Sequence, residues 1–199
     1  MLSEATTADL SGKSPSAGRK LIFAPNVSID GFADHTAMIA DDELHDFYTN
    51  LLDTIEISLM GRKTYQLMES YWPIAPEDPN ATKSIIEFAH KINSMQKIVI
   101  SKTLDKATWN NTRLLKENII EEVKKLKSQS GNNLLIGGLN LASTFMKQGL
   151  IDEYWLPVHP IIVGTGRRLF ERLDNRIHLE LADIRKFNSG VVILHYKKI

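Results

Sequence analysis

The segment Met60-Gly61-Arg62-Lys63-Thr64-Tyr65 joins an alternating apolar run, residues 56–60, directly to the start of a helix. A second junction of the same kind, Ile136-Gly137-Gly138-Leu139-Asn140, follows the apolar run that begins at Asn133. Both places therefore read as a strand followed at once by a helix. This unit is typical of an α/β protein, in which crossover helices cover a parallel sheet. These two junctions decide the fold class.

The segments around the junctions extend this alternation. Strands are predicted over residues 19–27, 56–60, 97–101 and 133–136, from short runs of apolar and β-branched residues. Helices are predicted behind the acidic turn at residues 41–43, behind the capping residue Thr82, from Ile119 to Gly131, and after Gly138. Strand and helix thus alternate through the first two-thirds of the chain.

The last third loses its helical periodicity. Three strands are predicted over residues 152–163, 177–186 and 190–198, and the last two form a hairpin around Asn188-Ser189-Gly190. The sequence therefore predicts one α/β domain over residues 19–199, with a mostly parallel mixed sheet, helices on both faces and an antiparallel C-terminal edge. Residues 1–18, rich in Ser, Thr, Ala and Gly, are predicted to form a flexible tail.

Composition excludes several classes of protein. Lys and Arg number 24, as do Asp and Glu, so no net charge favours nucleic acid or an anionic membrane. Cysteine is absent, which excludes a disulfide framework and Cys-ligated metal sites. The apolar runs are short and no signal-peptide pattern is visible, so we expect a cytoplasmic protein. His35 and His45 flank the acidic residues 41–43, but a helix N-terminus explains those acids more simply, and no metal site is predicted.

Three strand ends carry features that favour phosphate. Gly61 and Gly137-Gly138 each precede a predicted helix, whose first N–H groups are free to bind an anion. The third strand end carries Ser101 and Lys102. Each feature alone also has a purely structural explanation, namely a helix start with solvated cations or a tight turn against the sheet. Together they fit a ligand with several separated phosphates, such as a dinucleotide.

The charges at these strand ends favour NADPH over NADH. A 2′-phosphate needs cations, whereas the ribose hydroxyls of NAD are usually held by an acidic residue. Arg62, Lys63 and Lys102 are cations, and no acidic residue lies beside either glycine site. The P-loop pattern is absent, and Gly164-Thr165-Gly166 lacks the third glycine of a Rossmann fingerprint.

Six motifs in order resemble a known family: Ser28-Ile-Asp30-Gly31, Gly61 to Tyr65, Ile100 to Leu104, Ile136-Gly137-Gly138, Leu150 to Tyr154, and Pro160 to Phe170. They resemble the dihydrofolate-reductase-like superfamily, and most of all the C-terminal reductase domain of bacterial bifunctional riboflavin-biosynthesis deaminase–reductases and its stand-alone relatives. The resemblance covers roughly residues 19–199. It implies a three-layer fold around an eight-stranded, mostly parallel sheet, and a homodimer formed through the C-terminal strands.

The resemblance also implies positions for the cofactor and the substrate. NADPH phosphates are expected at the two glycine junctions, with Ser101 and Lys102 near the adenosine ribose. The implied cofactor residues are Gly61, Arg62, Lys63, Thr64, Ser101, Lys102, Gly137, Gly138, Leu139 and Asn140. Asp30 is the candidate proton donor or substrate anchor, although an Asx-type turn before Gly31 is an equally good interpretation. The expected substrate pocket comprises Asp30, Phe47 and Gly164.

The substrate end departs from the family pattern. The first helix offers Asp46 and Asp53, but neither follows the motif of the pterin-binding carboxylate in dihydrofolate reductases. The deaminase domain is absent from this chain, and residues 32–43 lack an obvious basic cluster for a ribose phosphate. We therefore expect an NADPH-dependent reductase like 5-amino-6-(5-phosphoribosylamino)uracil reductase, acting on a small heterocycle or sugar imine, without nucleic-acid or membrane partners. Dihydrofolate reductase activity and a non-catalytic nucleotide-binding sensor are the alternatives.

Overall fold

A computed structural model of the chain describes residues 18–33, 36, 38–171, 173 and 175–199. Apart from Gly18, the predicted tail lies outside the described residues, as does His35. The strands are β1 (Leu21–Phe23), β2 (Val27–Ser28), β3 (Ile55–Gly61), β4 (Gln96–Ile100), β5 (Thr112–Leu115), β6 (Asn133–Gly137), β7 (Glu153–His159), β8 (Leu179–Lys186) and β9 (Val192–Lys198). The helices are α1 (Asp42–Leu52), α2 (Arg62–Glu69), α3 (Lys83–Ser94), α4 (Ile119–Ser128) and α5 (Leu139–Lys147), with a 3₁₀ turn at Ala75–Glu77.

All strands join one sheet in the order β5-β4-β3-β6-β1-β7-β9-β8, and β2 pairs with β7. Pairing is parallel from β5 through β7. It becomes antiparallel where β9 pairs with β7 and with β8. The β8–β9 hairpin turns at Gly190, whose φ of +87° lies in the region that favours glycine. The predicted mixed sheet with an antiparallel C-terminal edge is confirmed.

Helices cover both faces of the sheet, as the alternation of side chains along a strand requires. Leu21 and Phe23 pack on one face with buried residues of α4 and α5. Ile22, between them, packs on the other face with buried residues of α1, α2 and α3. The chain therefore forms three layers. Among the described residues, no helix has the length and apolar character to cross a bilayer.

The helices begin in two different ways. Asp41 caps α1, since its carboxylate accepts a hydrogen bond from N–H of Leu44 at 2.9 Å. Thr82 caps α3 by accepting from N–H of Ile85. By contrast, α2 and α5 follow Gly61 and Gly138, and no side chain caps either one. Free N–H groups therefore remain at the two junctions that the sequence marks as anion sites.

The sheet has nine strands where the resemblance implies eight, and three further details differ from the sequence-based prediction. The predicted strand over 19–27 divides into β1 and β2 around Pro25, because proline has no N–H for the ladder. The predicted strand over 152–163 ends at His159, just before Pro160. β5 was not predicted, because its four residues include Thr112 and Arg113 and show no burial alternation. These differences leave the strand ends at the site unchanged.

Candidate functional site

The carboxyl ends of four parallel strands meet at one edge of the sheet. In the ladder, Gly61 of β3 is level with Ile100 of β4, and Met60 is level with Gly137 of β6. Phe23 of β1 is level with Ile136. The residues that follow these strands therefore lie side by side at this edge, which is where open α/β sheets bind their ligands.

Gly61, Thr64, Gly137 and Gly138 form the centre of this edge. A Cβ atom on Gly138 would lie 2.8 Å from Oγ1 of Thr64 and 3.8 Å from the backbone nitrogen of Gly61. A Cβ on Gly137 would lie 3.2 Å from Cγ2 of Thr64. Gly138 also has a φ of +107°. The N-termini of α2 and α5 are therefore adjacent, and residue 138 has no room for a side chain.

This centre fits a phosphate group. Neither helix start has a side-chain cap, so both offer backbone N–H groups and the positive ends of their dipoles. A Cβ on Gly61 would meet nothing within 4 Å, so space is open beside that backbone. The Thr64 hydroxyl lies at the same place. The four residues that the sequence predicted here are thus brought together in an arrangement suited to a pyrophosphate.

Cations follow the strand ends at this centre. Arg62, Lys63 and Lys102 are exposed, and among the described residues Arg62 makes one long side-chain hydrogen bond, 3.3 Å, to Gln66. Sequence analysis missed Arg167, whose guanidinium donates to Oδ1 of Asn140 in the first turn of α5. Its position after Gly166 in a loop gave no sign that it reaches α5. Asn140 is thereby tied to that loop.

Ser101 has a local structural role. Its hydroxyl oxygen accepts hydrogen bonds from N–H of Thr103 at 3.1 Å and N–H of Leu104 at 3.0 Å, which makes a tight turn after β4. The turn presents Lys102 to solvent. The predicted role of Ser101 near a ribose stays a prediction. The Ser101 oxygen already accepts two hydrogen bonds within its own turn.

Asp30 joins two loops. Its carboxylate accepts hydrogen bonds from the Ser28 hydroxyl at 2.6 Å, from N–H of Val163 at 3.2 Å and from N–H of Gly164 at 2.7 Å. The Ser28 hydrogen bond is the main cause that lowers the pKa of Asp30, against a smaller desolvation effect, and the two backbone N–H groups act in the same direction. An ionised carboxylate is not a proton donor. The geometry disfavours that role for Asp30, and its role as substrate anchor stays a prediction.

The loop of residues 163–169, which Asp30 binds, lies along the 28–33 segment. N–H of Ala33 donates to the Arg167 carbonyl, and N–H of Leu169 donates to the Gly31 carbonyl, at 2.9 and 2.8 Å. Gly164 is exposed, with a φ of +78°. The structure therefore brings Asp30 and Gly164 together, as the predicted pocket requires.

Phe47, the third predicted pocket residue, lies in the core. It is 7% exposed, and its ring packs against Tyr48, Trp155 and Phe187. Helical periodicity alone does not distinguish a core residue from a residue that lines a pocket. The packing therefore does not support the substrate-pocket role of Phe47.

A polar cluster that sequence analysis missed lies at the ends of β1 and β7. Oδ1 of Asn26 accepts hydrogen bonds from the Tyr48 hydroxyl at 3.1 Å and from Nε2 of His159 at 3.0 Å. The Tyr48 hydroxyl also lies 3.2 Å from the Ala24 carbonyl. Desolvation raises the pKa of Tyr48 and lowers the pKa of His159, so both side chains are neutral at neutral pH. These residues are far apart in the sequence, and no local motif connects them.

A surface cavity of about 610 Å³ lies at the amino ends of the parallel strands, and the residues that line it include Glu56, Lys97 and Arg113. Burial lowers the pKa of Lys97 to about 8. Its ammonium group donates to the carbonyls of Ile92, Asn93 and Met95, where α3 ends. Lys97 is thus engaged in holding that helix end, and no predicted site residue lines this cavity.

Comparison with known families identifies the chain. The RibD C-terminal domain family matches residues 19–193. This chain belongs to that family. The uncharacterized protein YyaP of Bacillus subtilis (strain 168) is 36% identical over 184 residues, which are 89% of this chain and 94% of that protein.

Solved structures of this kind have the same fold. A putative riboflavin biosynthesis protein from Shewanella sp. PV-4 superposes with a TM-score of 0.70 at 19% identity, covering 90% of this chain and 99% of that one. The deaminase/5-amino-6-(5-phosphoribosylamino)uracil reductase from Thermotoga maritima gives 0.63 at 13% identity, covering 92% and 57%. The family match confirms the resemblance to the reductase domain of the riboflavin-biosynthesis deaminase–reductases, and family membership supports a reductase-like function.

Proposed function

We propose that this chain is an NADPH-dependent reductase of the riboflavin-biosynthesis reductase type, which reduces a small heterocycle or a sugar imine. The observation that carries the proposal is the contact between the uncapped helix starts at Gly61 and Gly138. Such a pair of free N-termini suits the pyrophosphate of a dinucleotide. The similar fold of the deaminase/5-amino-6-(5-phosphoribosylamino)uracil reductase from Thermotoga maritima supports the choice of this reaction type.

The charges beside the helix starts support NADPH in particular. Arg62, Lys63 and Lys102 would bind the 2′-phosphate, because each is exposed and lies next to a strand end at this edge. Gly61, Thr64, Gly137, Gly138 and the first turn of α5, with Leu139 and Asn140, would hold the pyrophosphate. When bound, the reduced nicotinamide would supply the hydride.

The remaining residues position the substrate. Asp30 fixes the 163–164 backbone and places it beside the 28–33 segment. Because its pKa is lowered, Asp30 would act as a hydrogen-bond acceptor for substrate groups rather than as the source of a proton. A Cβ at Gly31 or Gly164 would meet nothing within 4 Å, so the backbone at both residues is open to a ligand.

The test is a reductase assay. NADPH is mixed with the protein and 5-amino-6-(5-phosphoribosylamino)uracil, other pyrimidines or dihydrofolate, and the loss of NADPH absorbance is followed. Oxidation with a pyrimidine supports the proposal, and oxidation with dihydrofolate alone supports the dihydrofolate reductase alternative. Binding of NADPH without oxidation across the panel favours a nucleotide-binding sensor.

We also propose that the protein forms a homodimer through its C-terminal strands. β8 is an edge strand, and it exposes Leu181 and Ile184 by 46% and 55%. An unpaired edge with apolar side chains favours association with another strand or surface. Sedimentation velocity of the wild type and of Ile184→Lys tests this, with a shift toward monomer expected for the variant.

A further inference from the structure

Asn26 follows β1, next to β6, and the helices that come after these two strands pack on opposite faces of the sheet. From β1 the chain goes to α1 on one face, and from the adjacent β6 it goes to α5 on the other face. Such a reversal opens a crevice beyond the strand ends, and ligands of open α/β sheets bind in it. Asn26 follows β1 at this point, on the other side of β6 from the helix start at Gly61. With the adenosine end expected beside Ser101 and Lys102, which follow β4 on the other side of β3, Asn26 would lie toward the reactive end of a dinucleotide held at Gly61 and Gly138.

The backbone fixes which way the Asn26 amide faces. N–H of Ile39 can only donate, and it lies 3.1 Å from Nδ1 of His159. Nδ1 is therefore the unprotonated nitrogen of a neutral imidazole, and Nε2 carries the hydrogen. Nε2 donates to Asn26, so the Asn26 atom at this contact is the carbonyl oxygen Oδ1. The single hydrogen of the Tyr48 hydroxyl is shared between the same oxygen and the Ala24 carbonyl.

This arrangement leaves the Nδ2 group of Asn26 available. Within the part of the chain that the structure describes, Nδ2 has no hydrogen-bond partner, and the buried side-chain atoms without a partner belong only to Arg19, Thr49 and Ser189. Nδ2 therefore keeps some exposure, on a residue that is only partly buried. It presents donors from an amide whose other end is held, which suits an uncharged oxygen such as a ring carbonyl.

We propose that Asn26 is a specificity-determining residue, whose Nδ2 group donates a hydrogen bond to a ring carbonyl oxygen of the substrate. Tyr48 and His159 are positioning residues that hold the amide. This inference rests on the proposed reductase function. A site that hydrogen-bonds one substrate oxygen discriminates strongly against analogues that lack it. The substrate is thus a heterocycle with a ring carbonyl.

NMR of the full-length ¹⁵N-labelled protein tests the contact directly. The Asn26 side-chain NH₂ signals are assigned from their loss in Asn26→Asp. We expect uracil, added with NADP⁺, to shift these signals, and unsubstituted pyrimidine, which lacks ring carbonyls, to leave them in place. No shift with uracil overturns the inference. A shift with NADP⁺ alone that uracil does not change also overturns it, because the nicotinamide carboxamide would then be the partner.

The same spectra separate this inference from the proposed function. If NADP⁺ shifts the backbone signals of Gly61 and Gly138 while uracil leaves the Asn26 side chain unchanged, only the specificity role fails. If NADP⁺ shifts neither glycine, the proposed cofactor site fails, and the inference fails with it.

Kinetics with 5-amino-6-(5-phosphoribosylamino)uracil give a second test. Asn26→Asp keeps an oxygen for Tyr48 and His159 but removes the NH₂ donors, so we expect KM to rise by at least about tenfold. Asn50→Asp, the same change at an exposed position of α1, should leave KM unchanged. Tyr48→Phe should raise KM by about threefold without changing the Kd for NADPH, which loss of packing alone would not do. An unchanged KM in Asn26→Asp contradicts the proposal.

Discussion

A Cβ atom on Gly138 would lie 2.8 Å from the hydroxyl oxygen of Thr64, so the start of α5 fits against the first turn of α2 only because residue 138 has no side chain. Sequence positions that are more than seventy residues apart thereby meet at one point. Both helix starts lack a side-chain cap. The site depends on this close approach, and the first prediction tests it.

Gly138→Ala should weaken both the fold and the cofactor site. The new methyl group would clash with Thr64, and φ at this residue is +107°, so we expect a loss of about 1–3 kcal/mol in the free energy of unfolding. Gly61→Ala is the matched change. Gly61 has an ordinary φ of −72° and open space at its Cβ, so we expect a stability loss below about 1 kcal/mol.

NADPH binding should nevertheless weaken in both glycine variants, because the methyl group at residue 61 occupies the space proposed for phosphate. Urea unfolding and calorimetric titration measure the two effects. Normal NADPH affinity in Gly61→Ala would place the pyrophosphate elsewhere.

Arg62→Ala should distinguish the two nicotinamide cofactors. Charge-assisted hydrogen bonds to a 2′-phosphate are worth about 1.5–3 kcal/mol, so NADPH affinity should fall by about ten- to a hundredfold while NADH affinity changes little. Lys102→Ala should have a smaller effect that decreases more with added salt, since an exposed ammonium group is well hydrated. Lys124→Ala, on the exposed side of α4, is the control for loss of a positive charge. A parallel loss of NADH affinity in Arg62→Ala would rule out the 2′-phosphate contact.

Asp30→Asn should lower turnover with little change in NADPH affinity. The amide can no longer accept all the hydrogen bonds from Ser28, Val163 and Gly164, so the loop beside the substrate should loosen. Unchanged turnover would remove Asp30 from the substrate site. Asp105→Asn, at an exposed loop position, is the matched control.

The same variant should show a pH effect on thermal stability. The folded-state pKa of Asp30 is lowered, so its stabilising effect is present above the ordinary value of 3.8 and is lost as the pH falls through the folded value. The difference in Tm between wild type and Asp30→Asn should therefore shrink in acid.

Glu153, at the start of β7, should contribute strongly to the loss of unfolding free energy in acid. Burial alone raises its pKa, but hydrogen bonds from His195 at 3.1 Å and Lys20 at 2.6 Å, with their charges, outweigh burial and lower the pKa to about 2. A lowered pKa stabilises the fold above the ordinary value of 4.5 and loses this effect toward about 2. Between about pH 6 and pH 2, we expect Glu153 to account for about 3 kcal/mol of lost unfolding free energy.

Urea unfolding at a series of pH values measures this loss. Glu153→Gln should be less stable at neutral pH and should show a flatter acid dependence. Glu180→Gln, on the exposed edge strand, should match the wild type. An equally steep acid dependence in Glu153→Gln would show that other carboxylates are responsible.

Sequence pattern predicted the parts of this molecule that depend on local chemistry. The junctions at Gly61 and Gly138, the acidic start of α1, the cap at Thr82 and the β8–β9 hairpin each follow from a few adjacent residues. The order of the signals along the chain then sufficed for the fold class, because parallel strands with short crossovers place their carboxyl ends together.

The contacts that depend on residues distant in the sequence were not predictable in the same way. Asn26 and His159 are separated by 133 positions, and Arg167 and Asn140 by 27, so no local pattern links either pair. Phe47 has the spacing of an inward-facing helix residue, and only the packing of Trp155 and Phe187 shows that its ring is in the core. The substrate end of the site is built mainly from such contacts.

The central claim is that the paired helix starts and their neighbouring cations bind NADPH. Isothermal titration of the wild-type protein with NADPH and, separately, with NADH tests it most directly. We expect both to bind, with NADPH tighter by at least about tenfold because of the 2′-phosphate. Equal affinities would contradict the assignment of Arg62, Lys63 and Lys102 to the 2′-phosphate, and no binding of either cofactor would contradict the site itself.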